Sequence, residues 1–144
     1  MKAVLFLCTG NYYRSRFAEE LFNQCAVNAG SEWCAQSRAL AVERGINNAG
    51  PMSPFAVRGL EKRGIISRAS NRHPQQCAIT DLETADRIIA LNEPEHRPMM
   101  LERFATWAHL IEYWKVSDLD GAPPSVALAM IETQIQALLE RLDV

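Results

Sequence analysis

Residues 3–20 read AVLFLCTGNYYRSRFAEE: an apolar run stops at a cysteine, turns through Gly and Asn, and resumes behind an Arg-Ser pair. Ala3 to Leu7 has the composition of a short strand buried on both faces, as strands of parallel sheets are. Downstream, Phe17, Ala18, Leu21, Phe22, Cys25 and Ala26 recur at the spacing of one helix face, and Asn28 and Gly30 supply the stop. CTGNYYRS is therefore a tight strand-to-helix turn. Its backbone N–H groups and the helix N-terminus converge on one point, and that geometry favours an anion.

Outward from this turn the chain alternates. EWCAQSRAL reads as a strand and VERGINNAGPM as a polar loop. SPFAVRGLEKRG carries helix punctuation, with Ser53 as N-cap, Pro54 in the first turn and Gly64 at the end. TDLE, Thr80 to Glu83, is a capping box opening a short turn. ADRIIAL and HLIEYW read as two further strands, and EPEHRPMML between them, broken by Pro94 and Pro98, as a surface turn. Pro123 and Pro124 introduce a last helix with Leu128, Ile131, Ile135, Leu138 and Leu142 on one face. Four strands alternating with helices predict an α/β fold, a three-layer sandwich around a central four-stranded parallel sheet. Ligands of such folds sit beyond the carboxyl ends of the strands, where CTGNYYRS lies.

The bulk numbers fit one domain, residues 1–144, large enough to bury a core. Hydrophobic residues make up 48% and the net charge is −2, so nothing calls for nucleic acid or an anionic membrane as partner. Residues 1–72 hold ten Lys/Arg against five Asp/Glu, and the rest five against twelve, which is compatible with an anion site built from the first half. The run Ala3 to Cys8 is too short for a signal-peptide core, and no stretch is long enough to span a bilayer. Cys8, Cys25, Cys34 and Cys77 form no C-x-x-C pair, so neither a zinc site nor a disulfide framework is indicated. A cytoplasmic, reducing location is the expectation. Cys25 and Cys34 fall at apolar positions and read as core, as the three tryptophans do.

The chemistry of the turn is Cys8, a five-residue loop, Arg14 and Ser15. A thiol at the mouth of an N–H nest, beside a guanidinium and at a helix N-terminus, is stabilised as the nucleophilic thiolate. Arg14 can grip two phosphate oxygens in a fork, which a lysine does less well. Gly10 and Asn11 tolerate the left-handed backbone that turns successive N–H groups inward. Ser15 can hydrogen-bond the sulfur and stabilise it as a leaving group. A Walker phosphate loop is excluded, because G-x-x-x-x-G-K-[ST] is absent.

VLFLCTGNYYRSRFAEE resembles the signature of the low-molecular-weight protein tyrosine phosphatases, V-L-F-V-C-x-G-N-x-C-R-S-P-x-A-E. SPFAVRGLEKRGI, DLETADRIIAL and EYWKVSDLD follow in that family's order and distances, so the resemblance runs the whole chain. It implies a phosphatase I-like fold, flavodoxin-like and doubly wound. It also implies hydrolysis of a phosphomonoester through a phosphocysteine on Cys8. Arg14 and the N–H groups of Thr9, Gly10, Asn11, Tyr12, Tyr13 and Ser15 would hold the equatorial oxygens. The leaving oxygen needs a proton, and alignment on Trp114 and Val116 selects Asp118 as general acid, with Asp120 second. Ser37 and His73 would support the loop through Asn11. The resemblance implies no cofactor and no metal. The substrate would be a phosphorylated protein or small phosphomonoester and the product inorganic phosphate.

Three positions depart from the pattern. Tyr13 replaces the second loop cysteine, which in the family can shelter the nucleophile in a disulfide. Tyr12 stands where tyrosine phosphatases usually carry Ile and arginine phosphatases Thr, which leaves substrate choice open. Leu119 replaces the usual Pro after the acid, and the aromatic pair beyond it is missing. Two other readings compete. Thioredoxin-coupled arsenate reductases share the fold and the CTGN start, but need a cysteine just after the strand RIIAL, where this chain has none. A non-catalytic phosphate or phosphoprotein binder could dispense with Cys8 or Asp118, and both are present.

Overall fold

The computed structural model describes residues 1–142. Strand β1 (Lys2–Cys8) lies inside the sheet, parallel to β2 (Trp33–Ala39) on one side and to β3 (Arg87–Ala90) on the other. A two-residue β4 (Glu112–Tyr113) pairs with β3, giving the all-parallel order β2-β1-β3-β4. The helices are α1 (Arg14–Asn28), α2 (Pro54–Glu61), α3 (Ile79–Thr84), α4 (Glu93–Arg103) and α5 (Pro124–Leu142).

The apolar run of β1 feeds two cores, because successive side chains point to opposite faces. Val4, Phe6 and Cys8 join α1, α2 and α5 through Phe17, Phe22, Leu60 and Ile131. Leu5 and Leu7 join the layer of α3 and α4 through Leu82, Met99 and Met100. These are the three layers expected. Phe6 meets the rings of Phe22 and Trp114 at 6.0 and 5.6 Å between centroids. Each such buried side chain contributes about 1.5–3 kcal/mol.

Punctuation explains most helix ends. Ser53 accepts from Phe55 N–H with Pro54 in the first turn, and Gly64 closes the segment at φ 74°. Gly30 follows α1 at φ 67°. Leu128, Ile131, Ile135 and Leu138 are buried on one face of α5, as their spacing predicts.

Three local expectations are corrected. The start of α3 lies two residues earlier than TDLE and is half a capping box: Asp81 accepts from Ala78 N–H, alanine has no side-chain acceptor to return the bond, and Thr80 lies inside the helix. EPEHRPMML is not a surface turn but the start of α4, with His96, Met99 and Met100 buried. Pro94 falls in its first turn, where no N–H partner is needed, and Glu93 and Glu95 there complement the helix dipole. Cys25 and Cys34 are only half-buried, whereas Cys8 and Cys77 are buried.

Candidate active site

The carboxyl ends of β1 and β3 lie side by side, and the loop after each reaches the same place. Cys8 ends β1 and Arg14 begins α1. Between them Asn11 takes a left-handed φ of 52°. Among the described residues, the backbone N–H groups from Gly10 to Ser15 make no hydrogen bond to another protein group.

Asn11 holds this loop. Fully buried, its amide nitrogen donates to Ser15 Oγ at 2.8 Å and Ser37 Oγ at 2.9 Å. Its Oδ1 accepts from Gln75 N–H at 3.1 Å and Arg72 at 3.3 Å. Ser37 in turn donates to Glu19 at 2.5 Å, and Arg72 pairs with Glu19 at 3.1 Å. The supporting contact expected of His73 is thus made by its neighbour Arg72, while His73 is exposed. Ser37 itself touches Asn11 directly.

Ser15 Oγ is 2.9 Å from the Cys8 sulfur. Asn11 donates to that oxygen, which keeps one lone pair and its own hydrogen. With Cys8 as the thiolate, which has no hydrogen to give, Ser15 is the donor.

Arg14 is 2% exposed and grips Glu95 with two parallel bonds, Nη1 to Oε1 at 3.0 Å and Nη2 to Oε2 at 2.8 Å. Nη1 also donates to the Val116 carbonyl at 3.0 Å. One edge of the guanidinium is spent on the scaffold and the Nε edge remains. Burial alone would lower the Arg14 pKa, but the Glu95 hydrogen bond and the nearby negative groups more than offset it. Glu95 is the functional neighbour that sequence reading missed. Thr9 Oγ1 donates to it, and His96 Nε2 lies at 3.2 Å. His96 Nδ1 accepts from Asn92 N–H, which assigns the proton to Nε2. Burial pushes His96 down, against the pull of Glu95, and so favours the neutral imidazole. Burial pushes Glu95 up, yet bonds from His96 and Arg14, with Arg14's charge, hold it well below the usual carboxylate range.

Asp118 reaches the same cleft, with Oδ2 3.7 Å from Arg14 Nη2 and a side chain 48% exposed. Its Oδ1 accepts from Leu119 N–H at 2.9 Å. Asp120 is exposed and does not line the cleft. The cleft, about 160 Å³, is lined by Cys8, Gly10, Tyr12, Tyr13, Arg14, Asn48, Ser53, Asp118 and Leu119. Tyr12 ties its wall to the following loop, its hydroxyl donating to the Ala49 carbonyl at 2.5 Å and its own carbonyl accepting from Ser53 N–H. A larger recess of about 340 Å³ beside α1 and the start of β2 shares no lining residue with this cleft.

A sequence profile described as low molecular weight phosphotyrosine protein phosphatase matches residues 3–143. The chain belongs to that family. It is a cysteine-based phosphatase. The phosphatase is similar to the low molecular weight protein tyrosine phosphatase from T. tengcongensis, with 27% identity, 98% of this chain and 99% of that chain covered, and a TM-score of 0.81. It also resembles the YwlE arginine phosphatase from Geobacillus stearothermophilus, at 23% identity, 99% and 94% coverage and a TM-score of 0.77. Vibrio vulnificus Wzb, solved in complex with benzylphosphonate, matches at 16% identity, 97% and 98% coverage and a TM-score of 0.80. The last two likenesses are of fold alone. A comparison with curated proteins finds no match.

Proposed function

We propose that the phosphatase hydrolyses aryl phosphomonoesters, foremost phosphotyrosine on protein, through a phosphocysteine on Cys8. One observation carries this reading. Cys8, with Ser15 at its sulfur, Arg14 and Asp118 border one cleft, beside loop N–H groups that have no protein partner among the described residues. The N–H groups and Arg14 hold the equatorial oxygens and stabilise the charge that builds there. The Cys8 thiolate attacks phosphorus and the bond to the leaving oxygen breaks. Asp118 gives that oxygen its proton. Water then attacks phosphorus, Asp118 takes a proton back, and sulfur leaves as a thiolate stabilised by Ser15. Inorganic phosphate is released.

Tyr12 and Leu119 both line the cleft and offer apolar surface to a flat aryl group. The YwlE likeness supplies the second reading, a phosphoarginine substrate. The arsenate-reductase reading loses further ground. Burial, with Asp81 adding, pushes the Cys77 thiol up to about 12, unsuited to relaying a disulfide.

Turnover of a phosphotyrosine peptide, a phosphoarginine peptide and alkyl phosphates by the purified protein tests the proposal. Phosphotyrosine is expected to give the highest kcat/KM. Turnover confined to phosphoarginine would overturn the aryl assignment, and no turnover of any of them would leave only a phosphate binder.

A further inference from the structure

Tyr13 adjoins Arg14 and lines the catalytic cleft. Its ring belongs to the core, 5% exposed and edge-on to Phe55 at 6.5 Å between centroids. Its hydroxyl is sealed from solvent and, among the described residues, has no hydrogen-bond partner. A packing role does not call for that hydroxyl, since phenylalanine would fill the same space without burying an unpaired polar group. Burial, with the charge of Asp118 adding, pushes the phenol up to about 12, so the O–H keeps its proton wherever the enzyme works.

Asp118 is the acceptor that fits. It lines the same cleft, is half-exposed, and is held only by the N–H of its own neighbour and by a 3.7 Å approach to Arg14, too long for a hydrogen bond. A phosphoryl group that takes up the remaining edge of Arg14 neutralises the attraction holding Asp118 there and repels its carboxylate. Turning away from Arg14 frees an Asp118 oxygen for the Tyr13 hydroxyl, a buried side-chain donor without a partner among the described residues that belongs to the same cleft lining.

We propose that Tyr13 is a positioning residue: when a phosphoryl group fills the cleft, its hydroxyl donates to one Asp118 oxygen and holds the other toward the leaving oxygen. With Asp118 protonated, the phenol O–H donates to the carboxyl C=O, and the carboxyl O–H points at the bond to be broken. The inference rests on Asp118 acting as the acid. It assigns a role to a side chain that replaces the second cysteine of the family's loop.

Tyr13→Phe removes the hydroxyl and keeps the ring. Fold stability in denaturant should equal or exceed that of the unsubstituted protein, because the lost group is unpaired. Vanadate binding should persist. Hydrolysis of phenyl phosphates with basic leaving groups should fall about tenfold, as for the loss of one hydrogen bond, and activated nitrophenyl esters should lose less. In an Asp118→Asn background the same change should cost nothing further. Equal rates for Tyr13→Phe and the unsubstituted protein across all leaving groups would overturn the inference, and so would an undiminished further loss in the Asp118→Asn background. An unsubstituted protein that turned over no aryl phosphate would sink the proposed function itself, and the role of Tyr13 with it.

Discussion

Arg14 spends three of its five N–H donors before any substrate arrives. Two go to Glu95 and one to the Val116 carbonyl, so the guanidinium plane is locked and its Nε edge remains. The partners differ in how legible they are. Cys8, Asn11, Arg14 and Ser15 lie within eight residues, where spacing and residue type speak directly. Glu95 comes from 81 residues away, on a segment whose two prolines argue against a helix. Arg72 takes the contact expected of His73 because its longer fork spans Asn11, Ser37 and Glu19 together. Glu95→Gln tests the lock. It would leave a nearly buried guanidinium without its counter-charge and should cost about 2 kcal/mol of stability at pH 7. Glu95 is held well below its unfolded value, so its contribution is complete above about pH 4.3 and fades as pH falls through its lower folded value. Urea titrations at pH 7 and pH 3 should therefore show the gap between the two proteins narrowing in acid. A gap that is constant or widens would mean that the pair does not stabilise the fold.

At the scale of elements, the sheet and most helices could be read because burial imposes period. β1 is apolar on both faces, and α1 and α5 repeat apolar residues every third or fourth position. β4 is only two residues long, too short for periodicity to register, and α4 hides behind Pro94 and Pro98. A glycine inside α2 shows what propensity alone misses. A Cβ on Gly59 would stand 2.4 Å from Leu128 Cδ1 and 3.2 Å from Phe17 Cε1, so α2 approaches α1 and α5 as closely as it does only because nothing projects there. In an open helix, Gly→Ala gains roughly 1 kcal/mol. Here Gly59→Ala should instead lose about 1–3 kcal/mol through overpacking. Thermal melts would decide it, and a higher Tm for the alanine variant would show that the three-helix contact is loose.

The whole molecule joins a basic first half to an acidic second one. In the fold the first half supplies the nest and Arg14, while the second brings Glu95 and Asp118 to the same mouth. The site is therefore not a uniform positive patch but a paired one, with one carboxylate holding the clamp and another at the rim. No helix among the described residues is long and apolar enough to cross a membrane. Everything in this arrangement converges on one sulfur atom. The most direct measurement is aryl phosphate turnover by Cys8→Ser beside its phosphate binding. The hydroxyl cannot replace the thiolate, so turnover should fall at least about a thousandfold. Phosphate binding should persist, because Arg14 and the N–H groups remain. Substantial turnover by Cys8→Ser would contradict the covalent mechanism.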